Sequence, residues 1–309
     1  MNKNNTKTPI YLGEGNTPLI RFCNLEQSLS WSGELWAKAE YQNPTGSFKD
    51  RGSIVEITAA IKQKKKGVVC ASTGNMAASL SAYAAKAGLP CIVIVPNTTP
   101  LTKLKQALAF GGKLIKVNGN YDKCVAKAEK IAKQKNYLLC GDYQLRRLGQ
   151  STIGLELAQC KQKFDAFIVP VGNGTVGCAI TEGLAEYGQL PMFIGIQGKG
   201  SDPIYLAWKN KKVIKFIKQP QTIASAMKVG QPLDGKTTLD WIVKTRGMMV
   251  SVSDKEIINS KNLLAKKEGI LVETSAAATL AGLIQIKKQL NKNLKIVLIL
   301  TGNGLKERG

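Results

Sequence analysis

The sequence of 309 residues contains no histidine. This absence excludes Ser-His-Asp and Cys-His catalytic groups, the histidine ligands of the usual zinc hydrolases and acid-base catalysis by imidazole. Any proton transfer at an active site of this chain must therefore use lysine, tyrosine, a carboxylate or a bound ligand.

Long apolar stretches are missing as well. The first residues, 1–9, are polar and lack the apolar segment of a secretory signal. No part of the sequence approaches the roughly 18 uninterrupted apolar residues that a membrane span requires. We therefore expect a cytoplasmic protein with no membrane partner.

The seven cysteines are odd in number and widely scattered, and no CxxC pair is present. Several lie within apolar runs, as Cys91 does in 91–95. This pattern is typical of buried, reduced thiols that act as small apolar side chains. We expect no structural zinc and no other metal site.

Acidic residues are scarce relative to basic ones, 21 against 44, and the formal net charge is +23. A basic, non-catalytic nucleic-acid-binding protein is therefore one hypothesis to weigh. The densest basic run, 62–66, falls where a helix should end, and no aromatic residues that could stack on bases are interleaved with it. We expect no specific nucleic-acid partner and a positive field that attracts small anions.

Short runs rich in β-branched residues alternate with longer helical patterns along most of the chain. Predicted strands lie at 35–39, 68–71, 91–95, 113–117, 166–171, 193–197, 248–252 and 296–300. Predicted helices lie near 50–66, 75–88, 101–110, 121–135, 150–162, 176–188, 254–268 and 274–290. This alternation predicts an α/β fold with parallel sheets flanked by helices.

No linker rich in proline, glycine and serine marks a domain boundary. The turn-rich stretches 42–47 and 141–143 are the best candidates for crossings between two domains. The sequence thus predicts a smaller inserted domain at 42–140 and a larger domain formed by 1–41 and 141–309.

The segment 43–52 contains the first candidate for chemistry. Pro44 and Gly46 predict a turn, and Ser47 can cap a helix whose first turn contains Lys49. The positive end of a helix dipole favours the neutral amine of such a lysine, which is the form that condenses with an aldehyde. A surface lysine beside an ordinary turn is the alternative.

A glycine-rich turn follows the predicted strand 166–171 and precedes a helix. It reads Gly172-Asn173-Gly174-Thr175-Val176-Gly177. Glycines let the backbone approach a ligand closely, and successive amides at a helix start can cradle a phosphate. The sequence lacks the Gly-Lys-Ser/Thr of a Walker loop and the glycine spacing of a dinucleotide site. We predict a cradle for a single phosphate, with a structural turn as the alternative.

Two polar turns also follow predicted strands. Ser72-Thr73-Gly74-Asn75 comes after 68–71, and the Asn75 side chain could hydrogen-bond a phenolate oxygen or a carboxylate. Thr301 follows 296–300, at the strand end where open α/β sheets bind ligands. An imine-forming lysine, a phosphate loop and two polar turns together match pyridoxal phosphate (PLP), a phosphorylated aldehyde.

At these motifs the chain resembles the threonine synthase family of fold-type II PLP enzymes over nearly its whole length. The resemblance is carried by the segments 13–19, 43–52, 72–75, 195–197, 273–278 and 301–306. The Asn-Pro-Thr-Gly-Ser-Phe-Lys sequence that ends at Lys49 is its most specific part. The resemblance implies the two-domain architecture of fold-type II enzymes and a homodimer.

The resemblance also implies a role for each matching residue. Lys49 would hold PLP as a Schiff base and shuttle protons. Asn75 would hydrogen-bond the ring oxygen of the cofactor, and Thr301 would face its pyridine nitrogen. The phosphate would lie against the glycine-rich turn at Gly172, Asn173, Gly174, Thr175 and Val176.

The implied reaction converts O-phospho-L-homoserine and water to L-threonine and phosphate by γ-elimination and β-addition. Lys49 would move the α- and β-protons, so histidine is not required. The substrate is a small anionic amino acid, which suits a positively charged protein. Ser72, Thr73 and Arg146 are predicted to bind it, with a structural salt bridge as the alternative role of Arg146.

Three departures from the family pattern keep other PLP reactions open. Asn303 stands where the family has histidine, and Met76 follows Asn75 where a smaller or hydroxyl residue is usual. The segment 139–146 lacks the asparagine-containing sequence that precedes an arginine in the family. A serine/threonine dehydratase, or an O-phosphoserine β-replacement enzyme of the cysteate or cysteine synthase type, would use the same lysine.

Overall fold

The computed structural model of the protein describes residues 10–119 and 121–307. The chain divides into two compact units. The first unit comprises the described residues up to Glu14 and Lys49–Gly149, and the second comprises Gly15–Phe48 and the described residues from Gln150 onward.

The units are built from strands and helices that are numbered here along the chain. The strands are β1 (Leu19–Arg21), β2 (Glu34–Lys38), β3 (Val68–Ala71), β4 (Cys91–Pro96), β5 (Lys113–Val117), β6 (Leu138–Cys140), β7 (Ala166–Pro170), β8 (Met192–Gly198), β9 (Met248–Val252) and β10 (Lys295–Ile299). The helices are α1 (Cys23–Leu29), α2 (Lys49–Lys62), α3 (Asn75–Lys86), α4 (Lys105–Ala109), α5 (Tyr121–Lys135), α6 (Gln144–Gln159), α7 (Thr175–Ala185), α8 (Pro203–Asn210), α9 (Gly235–Lys244), α10 (Asp254–Glu268) and α11 (Thr274–Ile286).

The first unit contains a four-stranded parallel sheet in the order β5-β4-β3-β6. Strand β3 is buried on both faces. Val68 and Cys70 belong to the apolar cluster that α2 and α3 complete, whereas Val69 and Ala71 belong to the cluster completed by α5. Burial on both faces explains why β3 is a continuous apolar run in the sequence.

The second unit contains a six-stranded sheet in the order β1-β2-β10-β7-β8-β9. Only β1 runs antiparallel to its neighbour. Ile168 and Val169 of β7 belong to separate apolar clusters, one with α10 and α11 and one with α6 and α7. Parallel neighbours end at the same edge of a sheet, so the turns after β7 and β10 share one edge here. In the first unit, the turns after β3 and β6 share an edge in the same way.

The eight predicted strands and the α/β class are confirmed, while several short elements were missed. The missed elements are β1, β6, α1, α8 and α9. The helix predicted at 150–162 begins earlier, at Gln144, directly after the turn-rich stretch 141–143.

The predicted inserted domain, 42–140, overlaps most of the first unit, but the division in the structure falls at Lys49 and at Gly149. The loop before Lys49 packs with the second unit, where the Phe48 amide donates to the Thr301 carbonyl at 3.1 Å. The other boundary lies inside α6, where the sequence shows no break. Neither position carries a linker that sequence patterns could reveal.

Five of the seven cysteines are buried, and none forms a disulfide. Among the described residues, no helix has both the length and the apolar character needed to cross a bilayer.

Candidate active site

The loop that leads to Lys49 is held by buried polar contacts within the second unit. The Asn43 side-chain amide donates to the Glu40 carbonyl at 2.7 Å and to the Glu40 carboxylate at 2.9 Å. Glu40 also accepts a hydrogen bond from the Thr17 hydroxyl at 2.6 Å. Gly46 then turns the chain with a φ of +78°, and its amide donates to the Asn43 carbonyl at 2.7 Å. The predicted turn is therefore present and fixes the chain just before α2 begins.

Lys49 is the first residue of α2, as the sequence predicted. Its Nζ lies 2.9 Å from Asp142 Oδ1, and both side chains are partly buried. Asp142 follows β6 in the chain. The structure thus gives this lysine an acidic neighbour within the same unit that the sequence analysis did not identify.

Arg146 is fully buried and forms an ion pair with Glu56. Its guanidinium also donates to the Lys49 carbonyl at 3.1 Å and to the Ser53 hydroxyl at 3.3 Å. Of the two roles predicted for Arg146, the structure shows the salt bridge. A side chain committed to these buried partners has no exposed surface to offer a substrate, so the predicted substrate contact is not retained.

The Glu56–Arg146 ion pair is buried in the first unit, and burying charged groups costs free energy. Burial raises the pKa of the Glu56 carboxyl, and the Arg146 guanidinium and the Gly141 amide act in the opposite direction. Burial works to lower the pKa of Arg146, but the Glu56 carboxylate raises it above its ordinary value. The two groups stabilise each other's charge, which is the usual condition for ionised groups inside a protein.

The polar turn 72–75 connects β3 to α3. Ser72 and Thr73 are partly exposed, and the Ser72 hydroxyl accepts from the Gly74 amide at 3.3 Å. Helix α3 begins at Asn75 without a side-chain cap. Asn75 is partly exposed, whereas the following Met76 packs into the apolar core of the first unit. The turn therefore presents hydroxyls, an amide side chain and a helix start at the sheet edge that β6 also reaches.

The glycine-rich turn lies between β7 and α7 in the second unit. Gly174 has a φ of +94°, and a β-carbon added to it would lie 2.2 Å from Thr238 Oγ1. A β-carbon added to Gly172 would lie 2.8 Å from the Ala226 carbonyl oxygen. Both positions therefore require glycine on steric grounds.

The start of α7 fits a bound phosphate. The helix has no side-chain cap, so no capping side chain accepts hydrogen bonds from the amides of its first turn. The Thr175 hydroxyl is buried and has no hydrogen-bond partner among the described residues. A buried hydroxyl without a partner is costly, and a phosphate oxygen at this helix start would satisfy it. These residues fit the phosphate of PLP.

Thr301 lies at the end of β10, the neighbour of β7, and is buried. The next residues form a turn in which the Asn303 amide donates to the Gly46 carbonyl at 2.9 Å. The Asn303 side chain accepts from the Leu305 amide at 2.9 Å and donates to the Tyr41 carbonyl at 3.4 Å. The turn at Asn303 therefore contacts the loop that precedes Lys49 through its backbone amide, and the segment before that loop through its side chain.

The structure places the predicted residues in two groups. Those in the first unit are Lys49, Ser72, Thr73, Asn75 and Arg146. Those in the second unit are Gly172, Asn173, Gly174, Thr175, Val176 and Thr301. Within each unit, most of these residues follow neighbouring parallel strands and share a sheet edge.

Asp142 was missed in the sequence because its strand, β6, is only three residues long. The available signal was a carboxylate after a short apolar run, 138–140, at the carboxyl end of a strand.

Comparison with known proteins gives consistent matches over nearly the whole chain. Residues 10–302 match the family described as "Pyridoxal-phosphate dependent enzyme". A threonine synthase from Methanocaldococcus jannaschii is 42% identical over 312 residues, covering 96% of this chain and 76% of the relative. A threonine synthase from Bacillus sp. (strain ULM1) is 35% identical and covers 98% of this chain and 87% of the relative.

Among solved structures, maize serine racemase superposes with a TM-score of 0.84 at 22% sequence identity. The superposition covers 93% of this chain and 88% of that protein. At this level of identity the likeness establishes the fold, which is that of the fold-type II PLP enzymes.

Proposed function

Because the chain belongs to the pyridoxal-phosphate dependent enzyme family, and within it to the threonine synthases, we propose that it converts O-phospho-L-homoserine and water to L-threonine and phosphate. The observation that carries the choice of reaction is the 42% identity to the Methanocaldococcus jannaschii enzyme across 96% of the chain. The cofactor of the family is PLP, which supplies an electron sink for the carbon next to the substrate amine.

Each of the predicted cofactor-binding residues would hold one part of the cofactor. Lys49 would bind its aldehyde carbon, and Asn75 would donate to its ring oxygen. The Thr301 hydroxyl would face the pyridine nitrogen, where it does not hold a proton as a carboxylate would. The phosphate would take hydrogen bonds from the turn before α7, at Gly172, Asn173, Gly174, Thr175 and Val176. The uncapped start of α7 and the unsatisfied Thr175 hydroxyl support this placement.

Lys49 would also carry the protons of the reaction. Its Nζ would remove the proton from the α-carbon of the substrate and then one from the β-carbon. Phosphate would then leave the γ-carbon, which takes up a proton in its place. Water would add at the β-carbon, and the α-carbon would regain its proton. This assignment agrees with a sequence that has no histidine. Ser72 and Thr73, at the start of α3, are proposed to contact the anionic substrate.

The alternative reactions are not favoured. A serine/threonine dehydratase or an O-phosphoserine β-replacement enzyme would share Lys49, but the two relatives reported above, which match nearly the whole of this chain, are threonine synthases. The similarity to maize serine racemase, at 22% identity, shows only that the fold is shared. A non-catalytic nucleic-acid-binding role is not favoured either, because the match to PLP enzymes extends over residues 10–302.

We also propose that the protein works in the cytosol as a homodimer. The seven cysteines support a reducing compartment, since none is in a disulfide and most are buried. The dimer rests on the family resemblance, and sedimentation of the PLP-loaded protein at two concentrations would test it.

The experiment that tests the reaction is a comparison of four substrates with the PLP-loaded protein. O-phospho-L-homoserine should release phosphate and yield L-threonine, while O-phospho-L-serine, L-serine and L-threonine should be turned over far more slowly. Lys49→Ala should be inactive with all four. Preferred turnover of O-phospho-L-serine, L-serine or L-threonine by the wild-type protein would refute the assignment.

A further inference from the structure

The Lys49 amine contacts an acidic side chain of the first unit. Lys49 Nζ lies 2.9 Å from Asp142 Oδ1, and the two side chains are 18% and 15% exposed. A pair this well shielded from water is screened less than a surface ion pair. The reactive nitrogen of the proposed mechanism thus starts in contact with a carboxylate.

The position of Asp142 depends on the buried Arg146–Glu56 pair of the first unit. The Arg146 guanidinium donates to the Lys49 carbonyl at 3.1 Å and pairs with the Glu56 carboxylate. Glu56 in turn accepts from the Gly141 amide at 3.0 Å. The buried Arg146–Glu56 pair therefore holds both the backbone of Lys49 and the residue before Asp142. The Lys49 amine and the Asp142 carboxylate meet because the backbone positions both residues.

We propose that Asp142 is the counter-ion of Lys49 and controls when its amine can react. In the cofactor-free chain, the carboxylate holds the Lys49 ammonium. An ammonium has no electron pair to give a carbonyl carbon, so one N–H bond must break before Nζ can react. That proton passes to Asp142 Oδ1 or to water, and no other bond changes. The same carboxylate would receive the ammonium again after the released Lys49 amine has taken a proton from the substrate. Asp142 is thus a positioning residue for the proposed function, on which this inference rests.

The direct test measures the reactivity of the Lys49 amine without cofactor or substrate. The cofactor-free wild type and Asp142→Asn are treated with a limiting amount of acetic anhydride at one pH, and acetylation of each lysine is read by mass spectrometry. Asparagine keeps the shape of the side chain and removes its charge. We expect Lys49 to be acetylated about tenfold faster in Asp142→Asn, the scale of one hydrogen bond to a charged group.

Two other lysines serve as internal references. Lys261 pairs with Glu307 at 2.7 Å and is similarly shielded, with 21% of its side chain exposed, so its rate should not change. Lys38 is 3% exposed and reports any loss of structure. Asp240→Asn, which removes a carboxylate that is 65% exposed, is the control for the change in net charge. If Lys38 acetylation rises in Asp142→Asn, that variant has lost structure and Asp142→Ser is used in its place. Faster acetylation of Lys49 in Asp142→Ser would then support the proposal, and an equal or slower rate would contradict it.

A second measurement follows PLP uptake. The bound-cofactor absorbance should appear about tenfold faster in Asp142→Asn than in wild type, because the amine no longer has to leave the Asp142 carboxylate. A damaged fold would slow uptake, so acceleration separates the counter-ion role from a structural one. Equal or slower acetylation of Lys49 in a folded Asp142→Asn would overturn the inference. A wild type that takes up no PLP would refute the proposed function instead, while the acetylation result would still decide the role of Asp142.

Discussion

Replacement of Gly174 by alanine tests whether the turn before α7 is the phosphate cradle. Gly174 has a φ of +94°, in the left-handed region that favours glycine. An added β-carbon would lie 2.2 Å from Thr238 Oγ1 and 3.0 Å from the Asp234 carbonyl oxygen. Thr238 cannot move easily, because it is fully buried and its hydroxyl donates to the Asp234 carbonyl at 2.8 Å.

The cost can be divided into two parts. The left-handed backbone costs an L-residue roughly 1–2 kcal/mol. Crowding a well-packed site costs about 1–3 kcal/mol more. We therefore expect Gly174→Ala to lower the free energy of unfolding of the cofactor-free protein by about 2–5 kcal/mol. If the turn shifts to relieve the contact, the phosphate loses aligned amides, and PLP affinity should fall by at least about tenfold.

Urea denaturation and PLP titration measure the two effects, and two further variants separate the causes. Gly188 has a φ of +68°, and a β-carbon added there would meet no heavy atom of the described chain within 4 Å. Gly188→Ala should therefore show the backbone cost alone and leave PLP affinity unchanged. In a Thr238→Ala background, Gly174→Ala should cost less than in wild type. If Gly174→Ala lowers the free energy of unfolding no more than Gly188→Ala does, or if its cost is unchanged in the Thr238→Ala background, the turn is not crowded by Thr238 as proposed.

Two other predictions concern the first unit. Burial, the Asp50 carboxylate and the hydrogen bond to Glu14 raise the pKa of Tyr83 above its ordinary value. The folded chain then keeps this proton above about pH 10 while the unfolded chain loses it, so the free energy of unfolding should fall by roughly 1.4 kcal/mol per pH unit above that value. Tyr83→Phe should abolish this contribution in urea melts across that pH range, and an unchanged slope would contradict the assignment. Arg146→Met should lower the free energy of unfolding by about 3–5 kcal/mol, because the buried Glu56 carboxylate loses its partner. Adding Glu56→Leu should restore much of that loss, and a single variant as stable as wild type would show that the pair is not ionised.

The core of the fold was predictable because burial on both faces leaves a direct trace in the sequence. Strands such as β3 and β7 are fully buried and appear as unbroken apolar runs. Strand β6 leaves a weaker trace, since its apolar run has only three residues and only Cys140 is buried. Its place in the sheet is set by pairing with β3, a contact between residues far apart in the chain. Local patterns do not encode pairings of that kind.

In the candidate site, too, local features could be predicted and contacts that depend on packing could not. Lys49 at the start of a helix and Gly174 in a turn before a helix are local features, and the structure has both as predicted. The ion pair of Arg146 with Glu56 and the contact of Lys49 with Asp142 depend on how α2, β6 and α6 pack. The sequence could name Arg146 as a candidate, but only packing decides that its partner is a buried carboxylate and not a substrate.

Identification of the residue that binds PLP is the most direct test of the proposed active site. The PLP-loaded protein is reduced with borohydride, digested and analysed by mass spectrometry, so that the cofactor is fixed to the nitrogen that held it. We expect one modified peptide, with the label on Lys49, and no stable label in Lys49→Ala. A label on another lysine, or undiminished labelling of Lys49→Ala, would contradict the role of Lys49 as the residue that binds PLP.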